Sequence, residues 1–266
     1  MKQRVISAII ASILIIPIVL IGGNLYKAGV IALGLIGLYE LLKAYENNKK
    51  IPLFMKFISI YSFIFALLEN FNNNSFSITL SLKYIILYTL TLLIGLILYS
   101  DDKKYNIIDV SYLLFCNLFL VIGFGLLMSI REYNIYYLIM ILLITIVSDT
   151  FALITGSLIG KHKFCPDISP NKTVEGFIGG LVFSLVICVP TYITIFNYNG
   201  NILLVILLIA GLSIVSTLGD LVFSAIKRYF KIKDYGKIMP GHGGVMDRID
   251  SFLFVLLAVY IIVNFL

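Results

Sequence analysis

The segment from Ser224 to Asp250 carries six basic residues, three acids, one histidine and four glycines. A loop that only faced an anionic surface would need the lysines. It would not need Pro240-Gly-His-Gly-Gly244, whose glycines let backbone approach a ligand closely or take positive φ. Nor would it need Asp247-Arg-Ile-Asp250, where two carboxylates three residues apart face the same way on a helical turn. Acids mixed with cations and glycines suit a Mg²⁺–polyphosphate site. Magnesium takes one or two carboxylates and completes its octahedron with phosphate oxygens and water. His242 has only His162 for company, which excludes a histidine-built metal site. Its preferred reading is a structural or phosphate-contacting imidazole, because phosphoryl and nucleotidyl transfer rely mainly on positioning and charge neutralisation.

Other polar groups lie within apolar runs. Asp220 follows Ser213, Ser216 and Thr217 and precedes Ser224, at three- and four-residue spacing that lines one helical face with oxygens. Interhelical hydrogen bonding accounts for the hydroxyls. It does not account for a carboxylate, which costs about 2.5–3.5 kcal/mol within a bilayer and normally faces a wet cavity or a partner. Asp149, in Thr145-Ile-Val-Ser-Asp-Thr150, has the same character. Glu40 could have a functional role, or could simply pair with Lys43 or snorkel. A second loop, Lys161 to Gly176, contains two prolines and an Asn, which predict a rigid non-helical segment. Ser169 or Thr173 would cap the helix that follows, and its exposed N–H groups with Lys172 would suit a phosphate, as would suit an ordinary capped basic loop.

The elements that position these groups follow from composition. Of 266 residues, 60% are apolar and 13% charged, against about 45–50% and about 25% in a soluble domain. That excludes a water-soluble globule, a disordered chain and a disulfide scaffold; the three cysteines show no metal or bridge spacing. The fold class expected is all-α: a polytopic integral membrane protein with about nine transmembrane helices. They fall near 5–22, 27–45, 54–69, 78–100, 109–130, 134–158, 174–196, 202–226 and 250–266. The first is read as an uncleaved helix, because no small-residue cleavage site follows it. With the N-terminus cytoplasmic, 17 of the 20 basic residues fall on the inner side, leaving Lys27, Lys83 and Arg131 outside. The net charge of +6 then marks topology and a site for anions, with no nucleic acid implied. Residues 1–130 read as five scaffold helices. Residues 131–266 read as four helices with cytoplasmic catalytic loops 161–173 and 227–249. Lys49 reads as a generic inner-loop charge whose removal should be nearly silent.

The pattern Ser224-x-Ile-Lys-Arg-x₄-Lys-Asp-x-Gly-x₃-Pro-x-His-Gly-Gly-x₂-Asp-Arg-Ile-Asp250 resembles the signature of the phosphatidate cytidylyltransferase (CDP-diacylglycerol synthase) family. Ser148-Asp149-Thr150, the Ser169-to-Gly176 run and Gly219-Asp220 agree with it as well; Met239 replaces the family's usual Leu, Ile or Phe. The N-terminal half resembles the family only as hydrophobic helices. The resemblance implies a membrane enzyme that converts CTP and phosphatidic acid to CDP-diacylglycerol and pyrophosphate with Mg²⁺. Its implied catalytic residues are Asp220, Lys227, Arg228, Lys233, Asp234, His242, Asp247, Arg248 and Asp250, with Asp220 and Asp247 on the metal and a second cation left open. Asp149, Ser169, Lys172, Thr173, Glu175, Ser224, Gly243 and Gly244 would bind substrate. The partners implied are CTP, phosphatidic acid and the lipid bilayer, with the active site facing the cytoplasm; dimerisation stays open. Two alternatives remain: another CTP-dependent lipid enzyme, such as an archaeol-phosphate cytidylyltransferase or polyprenol kinase, and more remotely a secondary transporter.

Overall fold

The computed structural model describes residue 13 and residues 15–71, 81–99, 105–238 and 243–265. His242, Pro240 and Met239 lie outside the described residues, as do Lys103 and Lys104 and the start of the first expected span. Residues 15–21 are helical. Among the described residues eight longer helices follow: α1 Gly23–Glu46, α2 Leu53–Glu69, α3 Leu82–Leu98, α4 Ile107–Tyr133, α5 Ile135–Ile159, α6 Val174–Phe196, α7 Ile202–Tyr229 and α8 Met246–Phe265. Among the described residues the departure from an all-α chain is one antiparallel hairpin, β1 Lys163–Cys165 with β2 Ser169–Thr173, inside the loop expected to be rigid and non-helical.

Each expected span overlaps a helix among the described residues, with Gly22, Ser81, Tyr99 and Asn134 at span edges falling outside it. Five of these helices (α1, α4, α5, α6 and α7) are long and apolar enough to cross a membrane. α2 and α3 have 17 residues each, about 25 Å of rise against roughly 30 Å of hydrocarbon. α8 carries Asp247, Arg248 and Asp250 in its first turns.

The chain forms two compact units. The first is Met1–Tyr133 with Phe230–Arg248, and the second is Asn134–Tyr229 with Ile249–Leu266. The loop 230–248, which sequence grouped with the C-terminal helices, belongs to the first unit. Phe230 packs edge-on against Tyr45 and Tyr112, with ring centroids 5.6 and 5.3 Å apart.

In the first unit, α2, α3 and α4 are joined by a buried polar network. Tyr84 donates to Asn117 Oδ1 at 2.7 Å, and Asn117 donates to the Ser59 carbonyl at 2.8 Å. Such bonds substitute for a hydrophobic driving force between helices in lipid. Two basic residues that sequence placed outside have local work: Lys27 donates to the Phe71 carbonyl at 2.5 Å. Arg131 donates to the carbonyls of Val19 and Leu20 at 3.0 and 2.9 Å, satisfying helix-end acceptors. Lys49 is no generic charge. It pairs with Asp109 at 2.5 Å, and that carboxylate is 1% exposed and also accepts from Tyr45. Lys49→Ala is therefore expected to cost about 1–3 kcal/mol, by leaving a buried carboxylate short of its cation. A thermal melt in detergent checks this, with turnover per folded molecule unchanged.

In the second unit, α5 and α6 meet backbone to backbone. A Cβ on Gly176 would sit 2.6 Å from the Ala152 carbonyl oxygen, and one on Gly180 would sit 2.7 Å from that of Ser148. Small residues four apart allow this approach. α7 joins through hydroxyls: Ser213 lies 3.0 Å from Ser148 and 3.4 Å from Ser184, all buried.

Candidate functional site

The α6 start fixes the hairpin. Thr173 is the N-cap and accepts from the Gly176 N–H at 3.1 Å. Glu175 accepts from the Lys161 N–H at 3.0 Å and the His162 N–H at 3.2 Å, and its Oε1 lies 2.6 Å from His162 Nδ1. Phe164 stacks on Phe177 with centroids 5.1 Å apart. Thr173 and Glu175, both expected to touch substrate, are thus engaged in holding the hairpin to its own helix. Ser169 opens β2 opposite Cys165.

Held this way, the hairpin delivers Lys172 to α7. Lys172 Nζ lies 2.7 Å from Asp220 Oδ2 and 3.5 Å from the Thr217 carbonyl oxygen. Arg228, one end of α7, donates to the Ile168 carbonyl at 3.1 Å, which ties down the hairpin's turn. Ser224, one turn beyond Asp220, donates to its Oδ1 at 3.3 Å. The oxygen-lined face of α7 is real: Ser213, Ser216, Thr217 and Ser224 are all buried. Ser216 Oγ has no hydrogen-bond partner.

Two further carboxylates come to this place from other helices. Asp149 on α5 accepts from Ser251 Oγ at 3.1 Å. Asp250 on α8 is buried and accepts from the Ser251 N–H at 2.8 Å. Asp149 feels the charges of Asp220 and Lys172, while Asp250 feels those of Asp220, Lys227 and Asp149. Asp149, Asp220 and Asp250 thus share their surroundings with Lys172 and Lys227. Among the described residues no three His, Cys, Asp or Glu side chains gather closely enough to hold a metal by themselves. A hard cation that needs only one or two carboxylates beside phosphate oxygens fits such a donor set.

The glycine-rich loop in the first unit is organised by carboxylates. Asp247 Oδ2 accepts from the Tyr235 N–H at 2.8 Å and the Gly244 N–H at 2.9 Å. Gly243 has φ +90°, and a Cβ there would meet that same oxygen at 2.7 Å. Only glycine suits the position. Lys233, Asp234 and Arg248 are exposed.

Sequence left Glu40 open between a functional role and a Lys43 pair or snorkelling, and the structure shows neither the pair nor the snorkelling. Glu40 is 1% exposed, and its two oxygens accept the Val245 and Met246 N–H groups at 3.0 and 2.9 Å. Lys43 instead lies over the Tyr39 ring, 5.8 Å from its centroid. The signal available in sequence was an acid inside an apolar run; its partner, some 200 residues away, left no trace in spacing.

Comparison with known proteins bears on what these groups do. The Cytidylyltransferase family profile matches residues 2–266. Proteins named phosphatidate cytidylyltransferase from Staphylococcus haemolyticus (strain JCSC1435) and Staphylococcus aureus (strain COL) are each 39% identical to this chain over 257 residues. That alignment covers 96% of this chain and 96% of each relative. A relative of the same name from Staphylococcus saprophyticus is 38% identical over the same length. Matched from its second residue to its last, the chain belongs to the cytidylyltransferase family.

Proposed function

We infer that this protein is a membrane enzyme that makes CDP-diacylglycerol and pyrophosphate from CTP and phosphatidic acid. The observation that carries the reading is near-identical coverage, 96% in both directions, with proteins named for phosphatidate cytidylyltransfer. The geometry suits that chemistry. A phosphate oxygen of phosphatidate attacks the α-phosphorus of CTP, and pyrophosphate leaves. The attacking oxygen is already ionised, so no general base is required, and charge and position set the rate. Lys172 is fixed by the hairpin and held at Asp220, where it would offset phosphate charge alongside Lys227 and Arg228. Lys233 and Arg248 would act likewise from the glycine-rich loop, and Gly243 and Gly244 leave its backbone open to a phosphate. Mg²⁺ would supply further neutralisation of the phosphates, with Asp220 and Asp247 as its proposed ligands. Asp149, Asp250 and Ser224 would orient these groups.

The diacyl tails would remain in the bilayer, which explains a phosphate site built on apolar helices. Nine spans with a cytoplasmic N-terminus would put loops 161–173 and 227–249 on the side where CTP is made, in the cell membrane. The names of the relatives favour the diacyl lipid over an archaeol phosphate or a polyprenol, and over transport.

The test is pyrophosphate release by the purified protein in detergent. Release should require CTP, phosphatidate and Mg²⁺ together, and should stop on chelation with EDTA. An unsaturated archaeol phosphate turned over faster than phosphatidate would move the assignment to the neighbouring enzyme. No release with any lipid phosphate would end the enzyme reading.

A further inference from the structure

We propose that Glu40 is a positioning residue for the transfer reaction: from α1 it caps the N-terminus of α8 and thereby sets where the glycine-rich loop stands. The proposal rests on the reading of that loop as part of the substrate site.

The start of α8 supplies the reason. The first N–H groups of a helix have no partner within it, and the peptide dipoles leave partial positive charge there. Among the described residues, no side chain adjoining α8 in sequence is seen to cover the two leading amides. Glu40 does, with one oxygen on Val245 and the other on Met246, although it lies 205 and 206 residues away. A carboxylate accepting two N–H bonds at a helix start is the strong form of cap. Both amides are buried, so water offers no substitute.

The surroundings are shaped to this carboxylate. A Cβ on Gly236 would fall 2.2 Å from Glu40 Oε1, and one on Gly244 would fall 2.3 Å from it. These two glycines also touch each other, since the Gly236 Cβ position is 3.1 Å from the Gly244 Cα. One turn before Glu40, a Cβ on Gly37 would meet Met246 Sδ at 2.8 Å. α1 therefore lacks bulk where α8 begins, and the loop lacks bulk where Glu40 enters. Both of these bonds go to backbone, so they fix the path of the chain. Asp247 closes the same loop from within, through the Tyr235 and Gly244 amides. Two carboxylates thus hold the segment that carries Lys233, Asp234, Asp247 and Arg248. On this account α1 is part of what the reaction depends on, because a misplacement of about 1 Å remote from the chemistry can cost about 100-fold in rate.

The experiment uses the full chain in detergent, with CTP and phosphatidate. Glu40→Gln keeps the size of the side chain but turns an N–H donor toward one of the two amides. It is expected to lower kcat/KM roughly 10- to 100-fold, and to speed amide hydrogen exchange in the 244–246 segment. Glu46→Gln, on the same helix but paired with Lys56, should change neither. A steric arm stands independently if Glu40→Gln fails to insert. Gly244→Ala should impair the wild type, yet cost less than about twofold more in a Glu40→Ala background, where the methyl has room. That rescue is not expected of two unrelated destabilising changes. Unchanged exchange in Glu40→Gln, or simple addition of the Gly244→Ala and Glu40→Ala effects, overturns the proposal and leaves the loop's catalytic reading intact. Faster exchange with undiminished turnover overturns the proposal together with that reading.

Discussion

Asp220→Asn is expected to lower CTP-dependent pyrophosphate release by about 100-fold or more, the scale of losing one preorganised charge at a reacting centre, while the protein stays inserted and melts no lower than wild type. The two halves of this expectation have one cause. Asp220 stands where Asp149 and Asp250 both feel its charge, and repulsion among three carboxylates works against the folded state. Asn removes the Asp220 charge at nearly constant volume. It still offers Ser224 an acceptor, so the packing of α7 is kept. What is lost is the anion that holds Lys172 at 2.7 Å and that would face a cation. Sites that store unfavourable charge for chemistry gain stability when the charge is removed and lose activity. Turnover and melting temperature should therefore be measured on the same preparation, across a range of Mg²⁺ concentrations. A near-wild-type rate at saturating Mg²⁺ would remove Asp220 from the proposed ligands. A melting temperature that fell together with activity would make its role structural.

Much of this arrangement was legible in the sequence, for physical reasons that also mark where legibility stopped. The helices showed because each apolar run is long enough to announce itself, and each expected span overlaps a helix among the described residues. Asp149 and Asp220 stood out because a carboxylate in an apolar run is costly and needs a reason, and Asp250 through its spacing from Asp247. Thr173 as a cap followed from its place just before an apolar run. Pairings across long separations were not legible. Nothing in the spacing tells that Lys172 reaches Asp220, that Lys49 answers Asp109, or that Glu40 reaches Val245 and Met246. The hairpin was legible only as an absence of helix, since two prolines and an Asn forbid a helix without specifying a strand register. Ser169, Lys172, Thr173 and Glu175 were assigned to substrate through the family resemblance of their run. In the structure Thr173 and Glu175 accept backbone N–H groups, and Lys172 is the member of the run that reaches Asp220.

The grouping of loop 230–248 with the first unit sharpens what a substitution at its centre should do. Asp247→Asn is expected to reduce turnover by about 100-fold, again the scale of a single lost charge at the reaction, with the loop still in place. Asp247 has a local duty, since one of its oxygens accepts both the Tyr235 and the Gly244 amides. An Asn oxygen can accept the same two bonds, so an asparagine tests charge separately from loop geometry. Asp247→Ala removes both, and an unpaired buried N–H costs about 1–3 kcal/mol. The alanine protein should therefore show faster amide exchange at Tyr235 and Gly244 and a lower melting temperature, and the asparagine protein neither. If the duty of Asp247 were only to tie the loop, Asn would keep most of the activity and Ala would lose it. If its charge faces a cation or orients the arginine beside it, both lose turnover and only Ala loosens the loop. The expected result is the second pattern, because tying two amides would be served as well by an uncharged acceptor, and the chain instead sets a second carboxylate near the already buried Glu40, whose environment feels it.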